Sequence, residues 1–243
     1  MRTLISLFVI TILLTFQPWT PAQQSQEPQF KLAEFQMALF KKGPKWPGGE
    51  HRPAMKQLHA ESFAYFQSLL ESGKAIIGGP LEGGGDIIGI YVLRPSESDK
   101  EAAARQAREW AEADPTVKAG YLQIEMVPWW ADPEALKRPT SPLKMTTLYL
   151  GFLRRGDKWT PQSTPETQEL QKAHLANIRK LWEMKKLVIA GPFGGNGELR
   201  GIFVFKVDTL EEAKSLAETD PAVKAGRLAI AMHPWLVPEG ILP

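Results

Sequence analysis

One stretch of this chain is written twice, and that constrains its fold more than any other feature. Residues 113–129 and 219–235 align at an offset of 106 with 11 of 17 positions identical. The shared residues include Asp114-Pro115 with Asp220-Pro221, Val117-Lys118-Ala119-Gly120 with Val223-Lys224-Ala225-Gly226, and Pro128-Trp129 with Pro234-Trp235. Upstream, Glu71, Lys74, Ile77, Gly79 and Pro80 fall on Glu183, Lys186, Ile189, Gly191 and Pro192 at offset 112, and Gly43, Lys45 and Trp46 on Gly156, Lys158 and Trp159 at offset 113. The drop from 112 to 106 assigns six extra residues to the first copy, around residues 94–100, a Pro/Ser/Asp-rich loop. A unit of about 90–100 residues is a small domain, not one turn of a solenoid. The chain is therefore expected to hold two like modules, residues 32–130 and 145–237, with a short tail at 238–243. A linker, residues 131–144, is stiffened by Pro133, Pro139 and Pro142, because each proline fixes its own φ and restricts its predecessor.

Within the second copy, periodicity sets the elements. Residues 145–153 read as an apolar strand, ended by Arg154-Arg155-Gly156. Pro165 then suits the first turn of a helix in which Leu170, Ala173, His174, Ile178, Leu181 and Trp182 recur at three- and four-residue steps. Residues 187–190 and 201–207 read as strands, with the glycine-rich stretch 191–197 as the hairpin loop between them. Thr209 with Glu212 forms a capping-box signature for a second helix, and residues 226–232 close as a strand. The order is βαββαβ, an α+β, ferredoxin-like unit with helices on one sheet face. The bare sheet face must be covered, and two tandem modules can cover each other, packing sheet to sheet as an internal pseudo-dimer. Leu122, Ile124 and Met126, with Leu228, Ile230 and Met232, alternate with smaller or polar residues and are expected to supply the face at that interface.

Composition narrows the function classes. With 29 Lys+Arg against 27 Asp+Glu, the chain lacks the basic excess that non-specific nucleic-acid binding needs. The absence of cysteine excludes disulfides, thiolate catalysis, Cys-ligated metal and an N-terminal lipoprotein anchor. The N-terminus begins with Arg2, then residues 4–16, in which only Ser6, Thr11 and Thr15 are polar. As a helix that run rises about 20 Å against a hydrocarbon layer of about 30 Å, too short to span comfortably and suited to a signal-peptide core. Thr20-Pro21-Ala22 predicts cleavage after Ala22, so residues 1–22 are a leader, residues 23–31 a disordered Gln-rich tail, and the mature protein is exported with no stable membrane anchor. The alternative is an uncleaved N-terminal anchor.

At these motifs the sequence resembles the YCII-related (YciI-like) family of dimeric α/β-barrel proteins. The second copy carries the pattern from end to end: His174-Leu175 in the first helix, Ala190-Gly191-Pro192, the Glu/Ala-rich stretch 210–218, Asp220-Pro221, and Pro234-Trp235. The first copy matches at Gly79-Pro80, residues 110–120 and Pro128-Trp129, but Ser62 stands opposite His174, and His59 lies one turn earlier. The resemblance implies a small-molecule enzyme with a His-Asp pair, one family member being a dehydrochlorinase of a chlorinated hydroxyquinol. By position the pair is His174 and Asp220, and His59, Ser62 and Asp114 make a degenerate site in the first copy.

An imidazole held by a carboxylate is a general acid/base suited to proton abstraction, isomerisation or elimination on a small enolic or aromatic substrate. No nucleophile elbow accompanies it. The same residues have a structural reading, with His174 a partly buried helix residue and Asp220-Pro221 a turn initiator, which leaves a non-catalytic binding or interaction module as the rival function. A third reading lets His59 replace the missing histidine. Four scattered histidines, His51, His59, His174 and His233, give no metal-ligand spacing, so neither metal nor cofactor is expected, although two distant histidines converging across the pseudo-dimer stay open. The glycine stretches 78–85 and 191–197 lack a phosphate-loop ending and lead into strands. Trp46 and Trp159, in long loops after the first strand of each copy, are candidate pocket walls, and Trp129 and Trp235 candidate core residues. Lys41-Lys42 and Arg154-Arg155 read as solvated strand ends, with a weaker reading as contacts for an acidic substrate. A small-molecule ligand fits these features, and further oligomerisation is left open.

Overall fold

The computed structural model describes residues 31–46, 53–139 and 142–243, so the expected leader, the tail up to residue 30 and His51 lie outside the described residues. The first module runs β1 (Ala33–Lys42), α1 (Pro53–Glu71), β2 (Ala75–Pro80), β3 (Ile87–Leu93), α2 (Lys100–Glu112), a single turn α3 (Pro115–Lys118) and β4 (Leu122–Ala131). The second repeats it as β5 (Met145–Arg155), α4 (Pro165–Glu183), β6 (Leu187–Pro192), β7 (Leu199–Phe205), α5 (Leu210–Ala217), α6 (Pro221–Lys224) and β8 (Leu228–Pro238). Each module is a four-stranded antiparallel sheet, ordered β2-β3-β1-β4 and β6-β7-β5-β8. This is the α+β arrangement of two ferredoxin-like units that the hydrophobic pattern anticipates.

Local chemistry explains the helix starts. Thr164 and Thr167 cap α4 reciprocally, each hydroxyl accepting the other's backbone N–H at 3.3 and 2.9 Å, with Pro165 at the first helical position. At α5 only half of the expected box forms: Thr209 accepts from the Glu212 N–H at 3.1 Å, but the Glu212 carboxylate takes the Lys186 ammonium at 2.8 Å instead. A charge-assisted bond outcompetes a neutral amide for that carboxylate. Trp182, placed by spacing on the apolar stripe of α4, faces solvent at 58% exposure, while Leu181 beside it is buried.

The two sheets pack face to face around one apolar core that includes Phe35, Met37, Leu39, Phe152, Ile202 and Val204. Alternate residues of the same strands turn outward onto the helices, as Ala38 and Phe40 do in one module and Leu153, Phe203 and Phe205 in the other. This reverses the expectation for the last strands. Leu122, Ile124 and Met126 pack under the helices of the first module, and Leu228, Ile230 and Met232 under those of the second. Each sheet has an apolar layer on both sides, the helices on one and the other sheet on the other, so an apolar stripe on a strand does not by itself say which layer it meets.

Closure is made by two pseudo-symmetric seams. Leu81 bridges Trp235 and Phe193 bridges Trp129 across the modules, backed by Glu82 N–H to Pro234 O and Gly194 N–H to Pro128 O, both 2.9 Å. The indole of Trp235 donates to Gly79 O and that of Trp129 to Gly191 O, each at 3.2 Å. Both tryptophans are 1% exposed, consistent with a core role. Only glycine fits at these seams: a Cβ on Gly79 would sit 1.9 Å from Leu236 O, and one on Gly191 1.9 Å from Trp130 O. The C-terminal segment is docked as well, with Ile241 and Leu242 buried in the core and Ile241 O accepting Lys137 N–H at 2.9 Å.

Candidate functional site

Asp220 ends the chain's run out of α5 and starts α6, so its first task is local. Its Oδ1 accepts from the Ala222 and Val223 amides at 2.9 and 3.3 Å, capping the single turn. That leaves Oδ2 free to face α4, where His174 projects from the helix and meets it through Nδ1 at 2.7 Å. Asp220 is fully buried, and His174 is 8% exposed. A carboxylate accepts only, so Nδ1 carries the hydrogen and Nε2 is left as the basic nitrogen of the neutral ring. The ring stacks on Phe203 of β7, centroids 5.8 Å apart and planes 20° from parallel, which fixes its plane as the bond fixes its tautomer. Among the described residues nothing hydrogen-bonds Nε2. The side-chain atoms there that are both sealed from solvent and unpaired are Arg155 Nε and Asn177 Nδ2, so Nε2 keeps solvent access. The pair that the sequence singles out is thus assembled, tautomerically fixed and open on its basic side.

The first module keeps the aspartate and changes its partners. Asp114 is also fully buried and caps α3, its Oδ1 accepting from the Thr116 amide at 2.8 Å and from the Thr116 hydroxyl. Its Oδ2 accepts from Ser62 at 2.7 Å and from Tyr91 at 2.9 Å. Tyr91 and Phe203 are equivalent by strand register, since Leu39 and Phe152 pair with Ile90 and Ile202 respectively. Where one module has a histidine stacked on phenylalanine, the other has a serine beside a tyrosine, and both hydroxyls are tied to the carboxylate. Burial and then the nearby Asp114 charge push the Tyr91 phenol far above its usual range, so it stays a donor. Tyr91 was not among the residues that sequence reasoning selected, although its position 112 residues before Phe203 carried the signal. His59 lies exposed on α1, one turn before Ser62, and the hydrogen bonds described for Asp114 come from Ser62, Tyr91 and Thr116.

Trp46 and Trp159 are half-buried at the ends of β1 and β5. The ammonium of Lys42 lies 5.9 Å from the Trp46 ring centre, whereas Trp159 is surrounded by Arg155, Arg200 and Arg227. A cavity of about 160 Å³ opens between the sheets, lined by Lys41, Asp86, Glu125, Arg154 and Glu198 with Phe193. It includes neither tryptophan and neither member of the His174–Asp220 pair. Its charges are partly internal, Lys41 meeting Glu125 at 2.5 Å. His233 sits at a seam, its Nδ1 3.3 Å from Glu82 O. Among the described residues no group of three or more His, Asp or Glu side chains converges as a metal site.

Residues 157–233 match the YCII-related domain family. The curated proteins contain no significant match to the chain. Among solved structures, 5-chloro-2-hydroxyhydroquinone dehydrochlorinase (TftG) from Burkholderia phenoliruptrix AC1100, in complex with 2,5-dihydroxybenzoquinone, is 26% identical over 36% of this chain and 92% of its own, with a TM-score of 0.29. Two others extend over both modules. A putative chlorite dismutase, TA0507, is 10% identical, covering 84% of this chain and 94% of its own with a TM-score of 0.52. A dye-decolorizing peroxidase from Bacteroides thetaiotaomicron VPI-5482 is 9% identical, covering 84% and 92% with a TM-score of 0.50. At such identities the likeness is one of fold: a two-module α/β barrel.

Proposed function

We propose that this chain, whose residues 157–233 form a YCII-related domain, is an exported small-molecule enzyme in which His174 is the general acid/base and Asp220 its orienting partner. The observation that carries the reading is the 2.7 Å bond from His174 Nδ1 to a buried carboxylate, with Nε2 unpaired among the described residues. Asp220 holds the tautomer in which Nε2 is basic and stabilises the imidazolium formed when that nitrogen takes a proton. Nε2 would then remove an acidic C–H or O–H proton from an enolic or phenolic substrate. In an isomerisation the imidazolium returns it to another atom of the substrate; in an elimination the electron pair left behind expels halide while the imidazolium passes its proton to water. The first module is a second YCII-type copy that has lost the base and is retained because the barrel core needs both sheets. Export rests on the leader at residues 1–22.

A non-catalytic ligand-binding module is the second reading, and one observation favours it: Asp114 makes the same cap and a bond of the same length with Ser62 in place of histidine. The aspartate alone is therefore explained by folding, and the histidine decides. The experiment is a panel of small enols, phenols and haloaromatics followed by NMR in D₂O for proton exchange and halide loss, with wild type and His174→Gln. Turnover that falls by about 100-fold or more in the variant supports the reading, that being the usual scale of general acid/base catalysis. Saturable binding without exchange or elimination, or turnover unchanged in the variant, overturns it in favour of the binding module.

A further inference from the structure

Three arginines from separate strand ends converge on one indole in the second module. Arg155 closes β5, Arg200 lies early in β7, and Arg227 immediately precedes β8. Their guanidinium carbons lie 5.6, 4.7 and 4.6 Å from the Trp159 ring centre. Each is held by neutral oxygens: Arg227 donates to Thr160 O at 2.9 Å and to its hydroxyl at 3.2 Å, Arg200 to Gly195 O at 3.2 Å, and Arg155 to Asn196 O. Among the described residues none of the three has a carboxylate partner, Asp157 and Glu198 nearby in sequence included. Arg155 Nε is moreover sealed from solvent with no partner. Each guanidinium carries about five N–H donors, so four bonds to protein oxygens leave most of the donors unspent.

The fold does not require this cluster. By strand register the equivalent positions in the first module hold Lys42, Ile88 and Tyr121, a single cation, which lies over Trp46, where the second module has three. The same β-ends and the same tryptophan thus fold without the arginines. Three like charges within reach of one ring repel each other, and burial together with Arg155 and Arg227 disfavours the charged form of Arg200. Such an arrangement is stabilised by whatever brings negative charge to it.

We propose that Arg155, Arg200 and Arg227, splayed around Trp159, form a binding site for an oxyanion group, phosphate or carboxylate, carried by a small soluble ligand. The indole orients the guanidinium planes through cation–π contact, and their free edges present paired N–H donors in the fork geometry that oxyanions accept. The site stands independently of the His174 chemistry.

The test is calorimetric titration of the whole protein with two probes, pyrophosphate and citrate, at low ionic strength. Wild type is expected to bind at least one, the preferred probe separating a phosphate from a carboxylate source. Arg200→Gln and Arg227→Gln are each expected to weaken that binding about tenfold or more, the loss of one charge-assisted contact. Thermal melts confirm that each variant is folded, and the anion is expected to raise the melting temperature of wild type but not of the variants. Arg105→Gln, an exposed helix arginine beside Glu101, is the control and is expected to bind as wild type does. The proposal is overturned if neither probe binds at millimolar concentration, if a folded Arg200→Gln or Arg227→Gln binds as wild type does, or if Arg105→Gln weakens binding equally.

Discussion

Ser62 and His174 stand at the same place in the two modules, and each meets the carboxylate that caps the following single-turn helix at 2.7 Å. The equivalence separates two roles that the sequence joins in one motif. The aspartate is part of the fold, because it caps the turn whichever partner it has. The imidazole is the part that varies, and with it the chemistry.

Asp220→Asn tests how the imidazole is held. The amide can turn its NH₂ toward Nδ1, which favours the tautomer with hydrogen on Nε2 and removes the free basic nitrogen. A downfield Nδ1–H proton resonance is expected in wild type and is expected to vanish in Asp220→Asn, with any turnover falling alongside. Persistence of that resonance in the variant would show that Asp220 does not set the tautomer.

Asp114→Ala is expected to destabilise the protein by about 3 kcal/mol, since it removes a helix cap, strands the buried Tyr91 hydroxyl and takes the acceptor of the half-buried Ser62 hydroxyl. Ser62→Ala removes one donor of several and is expected to cost about 1 kcal/mol. Urea unfolding of the two variants checks the order.

Tyr91 gives a pH dependence of defined sign. Its phenol ionises far less readily in the folded state than in the unfolded chain, where the ordinary value is about 10. Above that pH the unfolded state releases a proton that the folded state keeps, so stability is present in full below about pH 10 and declines by about 1.4 kcal/mol per pH unit beyond it. Tyr91→Phe is expected to lose that slope, measured as urea midpoints between pH 9 and 11.

Gly79→Ala and Gly191→Ala address barrel closure. At either site the new methyl would collide with a backbone carbonyl of the other module, so the seam must open, at an expected cost of about 2 kcal/mol or more. Gly84→Ala, in the loop next to the first seam, meets no atom within 4 Å and is strained only by its φ of +81°, so a smaller loss is expected. Thermal melts of the three variants rank them.

The sequence by itself determined the internal repeat, the βαββαβ order of each module and the turns begun by Asp114-Pro115 and Asp220-Pro221, because these follow from periodicity and from chemistry between near neighbours. It also carried the His174–Asp220 pair, since one repeat motif lay beside a resemblance to a known family. Only the tertiary structure decided which face of β4 and β8 lies under the helices, for each sheet has an apolar layer on both sides and one apolar stripe suits either of them. The glycine seams and the arginine cluster were hidden for a related reason. Gly79 owes its identity to Leu236 O, and Arg155, Arg200 and Arg227 meet at Trp159 only once three strand ends are in register. Contacts between residues so far apart in the chain are set by how the sheets close, and no local pattern encodes that closure.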